Sequence, residues 1–221
     1  MMKAAIFDLD GTLLNRDASV KDFINRQHDR LSEQLRHVDK DRYISRFIEL
    51  DQRGYVWKDS VYQQLVQEFE INEVTWQELL DDYKSEFKNH CIPFENLTSM
   101  LEKLKQHNFQ LGMITNGYGQ FQMDNIEALN IKKYFDAILI SELEQIKKPN
   151  PQIFKRALER LEVSAEESIF VGDHPENDVK AAKNVGMIGV WKRDHQWNEE
   201  EVHADYIISD LGEVPLFIER A

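Results

Sequence analysis

Two aspartates separated by one residue follow an apolar run near the start of the chain. The sequence Asp-Leu-Asp-Gly-Thr occupies residues 8–12, directly after the apolar residues 4–7. Because residues two apart in an extended chain point to the same side, Asp8 and Asp10 can face one site. One carboxylate can attack a phosphorus centre while the other handles the proton of the leaving group or of water. Two anions this close also favour a cation such as Mg²⁺, although the pentapeptide alone fits a simple strand-end turn as well.

A second apolar run ends in a hydroxyl followed by a permissive turn. Thr115, Asn116 and Gly117 close the run 110–115 and precede a helical pattern. A hydroxyl together with exposed backbone N–H groups is what a phosphoryl oxygen needs, so these three residues are candidates for substrate binding. A threonine N-cap followed by an Asn-Gly turn would produce the same pattern.

A lysine flanked by proline follows the third apolar run. The sequence Lys-Lys-Pro-Asn-Pro occupies residues 147–151, and Pro149 disfavours helical geometry at Lys148. Such a stiff segment suits an ammonium group that must lie between a carboxylate and a phosphoryl oxygen. A solvated basic turn is the alternative interpretation.

Acidic residues also follow the fourth apolar run. Residues 172–178 read Gly-Asp-His-Pro-Glu-Asn-Asp, which places Asp173 directly after a buried run and a glycine. A carboxylate has no packing role there, and with Asp8 it would supply oxygen ligands for Mg²⁺. Acids in a first helical turn are also ordinary partners of the helix dipole, which is the alternative for Asp178. We assign His174 no catalytic role.

The elements that must position these residues alternate between strand and helix. Such alternation predicts an α/β fold with a parallel sheet covered on both faces. The predicted strands are 4–9, 110–115, 137–140, 168–172 and 187–191, with a short sixth at 206–208. The predicted helices between them are 97–106, 121–129, 152–161 and 178–185.

The stretch 18–90 differs, because it is dense in charge and carries helical rather than strand-like spacing of its apolar residues. Four apolar stripes, one of which includes Ile48, predict four amphipathic helices that form a small bundle. We therefore expect a catalytic core of residues 1–16 and 94–221 and a four-helix cap domain of residues 17–93. The cap would lie above the carboxyl ends of the strands, where open α/β sheets bind ligands.

Composition narrows the class of protein. The chain has 221 residues, 42% of them hydrophobic, which is enough for a sizeable core and an insertion. A net charge of −13 argues against a nucleic-acid partner. The single cysteine, Cys91, excludes an intramolecular disulfide and suits a reducing compartment. With no signal peptide or membrane-length apolar run in sight, we expect a cytoplasmic protein that does not bind a membrane.

Four short motifs occur one after another along the chain. Asp-x-Asp-Gly-Thr, a strand that ends in threonine, Lys-Pro and Gly-Asp-x₄-Asp resemble, in that order, the haloacid dehalogenase (HAD) superfamily. The resemblance extends over the whole chain and implies a Rossmann-like core with an all-helical cap inserted after the first motif. It also implies the cofactor Mg²⁺.

The resemblance assigns roles to the residues of the first three motifs. It implies that Asp8 is the nucleophile, which forms an aspartyl-phosphate, and that Asp10 is the general acid and base. The Thr115 hydroxyl and the Asn116 amide would bind the phosphoryl group. Lys148 would neutralise charge on Asp8 and the substrate.

The same resemblance implies a metal site. Mg²⁺ would be bound by Asp8, by the backbone carbonyl of Asp10 and by Asp173, and Asp178 would orient or assist.

Among the activities of this superfamily we favour phosphatase. Dehalogenases lack the second acid, since halide leaves without a proton, whereas Asp10 is present here. Phosphonatases use a cap lysine, and none in the insertion, Lys58 included, has an apolar sequence setting. We expect hydrolysis of a small phosphorylated metabolite, a nucleotide or sugar phosphate, by a monomer or homodimer. A β-phosphoglucomutase-like phosphomutase is the alternative enzyme, and a catalytically silent phosphate-binding or regulatory protein is the alternative of another class.

Substrate specificity should depend on the insertion. Arg53 lies beside its only glycine, Gly54, and could pair with a second anionic group of the substrate. Tyr55 or Trp57 could stack on a base or sugar ring, although packing inside the bundle explains Trp57 better.

Overall fold

A computed structural model describes residues 2–218, except for the side chains of residues 217 and 218. The chain divides into two compact units, Met1–Asn15 with Pro93–Ala221 and Arg16–Ile92. We call the first the sheet unit and the second the helical unit. Residues 1 and 219–221 of the predicted core lie outside the described residues.

The sheet unit is built on six parallel strands in the order β3-β2-β1-β4-β5-β6. This confirms the predicted α/β fold class. The strands are β1 (Ala4–Phe7), β2 (Gln110–Thr115), β3 (Ala137–Ile140), β4 (Ser168–Gly172), β5 (Ile188–Lys192) and β6 (Tyr206–Ile208). β1 lies between β2 and β4, with Ile6 opposite Gly112 on one side and Phe170 on the other.

Both units contain helices. In chain order they are α1 (Arg16–Arg30), α2 (Lys40–Asp51), α3 (Lys58–Glu68), α4 (Trp76–Glu86), α5 (Leu97–Gln106), α6 (Gly119–Ala128), α7 (Ser141–Glu144), α8 (Pro151–Leu161), α9 (Ala181–Asn184) and α10 (Val214–Ile218). A π-helical turn, Pro175–Lys180, precedes α9, so the helix predicted at 178–185 begins earlier and is irregular. Within residues 2–218, every helix is too short or too polar to cross a membrane.

The sheet core is apolar and tightly packed. All four residues of β1 are buried, as expected for a strand with neighbours on both sides. Ile6, Phe154 and Phe170 belong to one hydrophobic cluster, in which the two phenylalanine rings meet edge to face at 5.1 Å. This packing gives the carboxyl ends of β1, β2 and β4 fixed positions relative to one another.

The helical unit has its own core and corrects two expectations. Phe23 and Tyr83 meet edge to face at 5.1 Å inside it. Ile48 is 42% exposed, so it does not belong to a buried stripe. Lys58, expected to lack an apolar setting, is buried against the rings of Trp57 and Tyr83. The primary sequence shows only part of this setting, because Tyr83 lies on a helix that follows later in the chain.

An ion-pair cluster explains how the buried lysine is tolerated. Asp51 accepts two hydrogen bonds from Arg16 Nη2, at 3.0 and 2.8 Å, and forms an ion pair with Lys58. A buried ammonium group is costly unless a carboxylate faces it, and Asp51 supplies that carboxylate.

Candidate active site

A tight turn at the end of β1 fixes the first aspartate. The carbonyl of Leu9 accepts the amides of Thr12, Leu13 and Leu14, at 3.3, 2.9 and 2.9 Å. These bonds end the strand at Phe7, two residues earlier than predicted. The Thr12 hydroxyl donates to Asp8 Oδ2 at 3.2 Å, so the carboxylate of Asp8 is held by its own turn.

Gly11 lets the exits of β1 and β4 come together. Its φ of +87° favours glycine, and a Cβ placed there would overlap the carboxylate of Asp173. Glycine is therefore needed at position 11 for two reasons: the turn requires a positive φ, and the carboxylate of Asp173 approaches closely.

Substituting Gly11 tests this close approach. We expect Gly11→Ala to lose more free energy of unfolding than Gly186→Ala, by roughly 1–3 kcal/mol. Gly186 is a matched control because its φ is +92° and an added Cβ would meet only Ala165, at 3.5 Å. Both variants carry the same backbone strain. Urea unfolding measures the difference, and equal losses would contradict the overlap with Asp173.

Lys148 lies between two buried carboxylates. Its Nζ is 2.5 Å from Asp8 Oδ1 and 2.7 Å from Asp178 Oδ1, and all three side chains are buried. Burial alone would lower the pKa of Lys148, but the charges of Asp178 and Asp8 outweigh it and raise the pKa. The lysine is therefore a permanent cation at the carboxyl ends of the strands.

Asn116 holds the backbone of Lys148. Its side chain donates through Nδ2 to the Lys148 carbonyl at 3.0 Å and accepts the Lys148 amide through Oδ1 at 2.9 Å. This reciprocal pair joins the turn after β2 to the segment that carries the lysine. Sequence reasoning considered only the backbone amide of Asn116 and missed this use of its side chain.

The residues after β4 position Asp178. Asp178 Oδ2 accepts the amide of His174 at 3.0 Å. A Cβ on Gly172 would overlap the Asp178 side chain, so glycine is needed for that approach. The ring of His174 accepts the amides of Glu176 and Asn177 through Nδ1, at 3.1 and 3.3 Å. His174 thus caps the π-helical turn.

The cluster carries more negative than positive charge. Burial raises the pKa of Asp8 to about 6, although Lys148 opposes the shift. Partial burial raises the pKa of Asp173 well above its usual range, and the charges of Asp8 and Asp178 add to the effect. Lys148 contacts Asp8 and Asp178, and an oxygen of the third acid, Asp173, lies within 4.8 Å of theirs, so a further cation would stabilise the cluster.

The carboxylates have the chemistry of a magnesium site. One oxygen each from Asp8, Asp173 and Asp178 lie within 4.8 Å of one another. Hard carboxylate oxygens are the ligands that Mg²⁺ prefers, and such sites are completed by water or phosphate. The residues present thus fit the ion that the sequence predicts.

A glutamine not singled out by sequence reasoning connects Asp10 with Thr115. Gln122 Nε2 donates to Asp10 Oδ2 at 2.6 Å and to Thr115 Oγ1 at 2.7 Å. Nearby, the amide of Gly117 donates to the Ser141 hydroxyl at 2.9 Å. Gln122 therefore connects the turn after β1 with the end of β2, as Lys148 connects Asp8 after β1 with Asp178 after β4.

Arg53 is placed in the helical unit, after α2. Its Nη2 lies 3.3 Å from Asp17 Oδ2, and its φ is +55°. Tyr55, two residues later, is 63% exposed. The structure therefore groups Asp8, Asp10, Thr115, Asn116, Gly117, Lys148, Asp173 and Asp178 in the sheet unit, whereas Arg53 belongs to the other unit.

Comparison with known proteins adds independent information. Residues 5–191 match the sequence profile of haloacid dehalogenase-like hydrolases. A glyceraldehyde 3-phosphate phosphatase of Pyrococcus furiosus is 38% identical over 124 residues, 54% of this chain and 52% of that protein. The chain spans about half the length of the first curated relatives that it matches.

Solved structures also resemble the whole chain. A HAD phosphatase of Thermococcus onnurineus is 28% identical with a TM-score of 0.69, and the match covers 98% of both chains. A 2-haloacid dehalogenase of Pseudomonas syringae pv. Tomato is 26% identical with a TM-score of 0.69, over 100% of this chain and 99% of that one.

Proposed function

Since this chain belongs to the family of haloacid dehalogenase-like hydrolases, we propose that it is a phosphatase of small phosphorylated metabolites. The observation that carries the proposal is the buried Asp8 carboxylate, in contact with Lys148 and followed two residues later by Asp10. A nucleophile, a fixed cation and a second acid are the groups that transfer of a phosphoryl group to and from an enzyme requires.

The reaction proceeds in two displacements. In the first, a carboxylate oxygen of Asp8 bonds to phosphorus while the bond to the leaving oxygen breaks, and Asp10 gives that oxygen a proton. In the second, Asp10 takes a proton from water as the water oxygen bonds to phosphorus. The bond to Asp8 then breaks, which releases phosphate and restores both carboxyl groups.

The neighbouring residues bind and orient the transferred group. The Thr115 hydroxyl and the Asn116 backbone amide bind phosphoryl oxygens, and Lys148 offsets the charge on Asp8 and the phosphoryl group. In the structure the Gly117 amide already donates to Ser141. Gly117 therefore contributes through its small size rather than through its N–H group.

Asp8, the backbone carbonyl of Asp10 and Asp173 would hold Mg²⁺, with Asp178 orienting the site. When bound, the ion offsets negative charge on the phosphoryl oxygens. The carboxylate cluster supports this assignment, because its three acids exceed the single charge of Lys148.

Asp10 favours phosphate esters over haloacids as substrates. Halide leaves without a proton, whereas an alkoxide requires a proton donor. We propose a nucleotide or a sugar phosphate as the substrate, and the name of the Pyrococcus relative places triose phosphates among the compounds to test. We further propose that the enzyme acts in the cytoplasm as a monomer or homodimer and that the helical unit is its cap.

Phosphate release from a metabolite panel tests the proposal. The panel contains glyceraldehyde 3-phosphate, phosphoserine, nucleoside monophosphates, β-glucose 1-phosphate and 4-nitrophenyl phosphate, each with Mg²⁺ or with EDTA. We expect release that requires the metal, and a melting temperature that rises with Mg²⁺ in wild type but not in Asp173→Asn. Conversion of β-glucose 1-phosphate to the 6-phosphate without release would indicate a mutase. Silence in both assays would favour a binding or regulatory protein.

Arg53 is proposed to bind a second anionic group of the substrate. We expect Arg53→Ala to raise KM about tenfold or more and to change kcat less, because a lost charge contact weakens binding. Arg36→Ala is the control, since Arg36 is an exposed arginine paired with one acid, Glu73, in the same unit. An unchanged KM for the best substrate of the panel would remove Arg53 from the site.

A further inference from the structure

A single side-chain amide on α6 contacts three residues that the proposed function assigns to the reaction. We propose that Gln122 is a positioning residue, which orients Asp10 and Thr115 for phosphoryl transfer; this inference rests on the proposed function. Its Nε2 lies 2.6 Å from Asp10 Oδ2 and 2.7 Å from Thr115 Oγ1, with a longer contact of 3.3 Å to the backbone carbonyl oxygen of Asn116. The two N–H groups of one amide thus reach the proposed general acid and the proposed phosphate-binding hydroxyl together.

A second buried amide fixes the orientation of Gln122. Asn125, one helical turn further along α6, donates through Nδ2 to Gln122 Oε1 at 3.2 Å. The oxygen of Gln122 is therefore turned toward Asn125 and its nitrogen toward Asp10. A carboxylate only accepts hydrogen bonds, so this is the orientation in which Gln122 can bind ionised Asp10. Both amide side chains are buried.

These hydrogen bonds determine what the two partners present to a substrate. Because Gln122 donates to Thr115 Oγ1, the Thr115 hydroxyl accepts and keeps its own hydrogen for a phosphoryl oxygen. The bond to Asp10 Oδ2 restricts rotation of that carboxylate. A proton donor works only within hydrogen-bond reach of the leaving oxygen, so restricted rotation contributes directly to rate.

The glycine after Asn116 provides the space that Gln122 needs. A Cβ on Gly117 would lie 2.8 Å from Gln122 Cγ and 3.0 Å from its Cδ. The glutamine side chain passes against this glycine on its way to Asp10. Besides reversing the chain, the turn after β2 leaves room for Gln122, because Gly117 has no side chain.

A purely structural role for Gln122 predicts different kinetics. Buried amides stabilise a fold when they are hydrogen-bonded, and their loss would slow all substrates alike through a distorted site. Loss of a positioning contact to the general acid instead depends on the leaving group. An alkoxide requires the proton from Asp10, whereas 4-nitrophenolate leaves readily without one.

Steady-state kinetics of Gln122→Met distinguish these roles. Methionine has a similar length and volume but cannot donate to Asp10 or Thr115. We expect kcat/KM to fall about 10- to 100-fold for the alkyl phosphate of the panel that wild type hydrolyses fastest. The fall for 4-nitrophenyl phosphate should be several-fold smaller. Gln120→Met is the matched control, since Gln120 is exposed on the same helix and bonds only to Asp124 among the contacts described.

Equal losses on both substrates, or no loss, would overturn the positioning role and leave the proposed function intact. A wild-type protein that hydrolyses no alkyl phosphate would overturn the proposed function instead. If Gln122→Met does not fold, as judged by circular dichroism, Gln122→Glu is compared on the same substrates, because it conserves volume and removes the donor. Failure of both variants to fold would show a structural role and overturn the inference.

Discussion

Replacing Asp8 with asparagine is expected to abolish turnover and to leave the fold intact. Asparagine has the same shape but cannot form an acyl phosphate by attack through a carboxylate oxygen, so kcat should fall about 10⁴-fold or more. The variant also removes one negative charge from a cluster of three acids, two of which are paired with Lys148. We therefore expect its melting temperature in EDTA to be equal to or higher than that of wild type.

Two measurements check this result. Phosphate release gives the activity, and acid quenching of wild type with a labelled substrate should trap phosphate on the protein, whereas Asp8→Asn should trap none. Asp41→Asn, at an exposed aspartate of α2, serves as the control with unchanged activity. Substantial turnover by Asp8→Asn would refute the covalent mechanism.

Replacing Lys148 with methionine is expected to give the largest loss of stability among single substitutions at the site. The change leaves Asp8 and Asp178 buried without the ammonium group that lies between them. Removal of one partner from a buried ion pair costs about 3–5 kcal/mol, because the remaining charge is neither solvated nor paired. Catalysis should be lost as well, since the cation also offsets charge on the phosphoryl group.

Urea unfolding in EDTA measures the effect of this substitution. Lys147→Met is a matched control, because Lys147 is the adjacent lysine and is exposed. A double variant that combines Lys148→Met with Asp8→Asn should regain part of the loss, since one unpaired charge is removed. Equal unfolding midpoints for the Lys147 and Lys148 variants would show that the buried ion pairs contribute little to stability.

The strands were predictable because each carries an apolar run that ends in a polar turn. β2, β3, β4 and β6 have the predicted bounds, and β5 begins and ends one residue later than expected. β1 ends early because the Leu9 carbonyl is used by three amides of the following turn. That turn depends on backbone conformations at Gly11 and its neighbours, which periodicity does not report.

Most of the candidate site was predictable from short motifs that begin at strand ends. Asp8, Thr115 and Asp173 stand at or directly after the end of a strand, whereas Lys148 was indicated by the proline that follows it and Asp178 by its spacing from Asp173. Gln122 was not indicated, because it lies within a helix and reaches Asp10 across 112 residues of sequence. A glutamine one turn into a helix is ordinary, and only the folded chain reveals its contacts with Asp10 and Thr115.

The burial of Lys58 was missed for a related reason. Its surroundings come from Trp57 beside it and from Tyr83 on the next helix, which packs over it. Sequence shows a charged residue at the start of a helix, where exposure is the usual outcome. Tertiary packing reversed that expectation.

The position of β1 between β2 and β4 affects the order in which the parts of the chain can fold during synthesis. Ala4 pairs with Gln110 on one side and with Ser168 on the other, so β1, which precedes the other five strands of this sheet in the sequence, has both neighbours only after residues 168–172 have been made. Residues 16–92 are contiguous and rich in local helical contacts, and we expect them to fold first and quickly. Until β4 emerges, an apolar strand keeps an unpaired edge and is prone to aggregation. Chaperones that bind extended apolar segments should therefore affect the yield of this protein through β1.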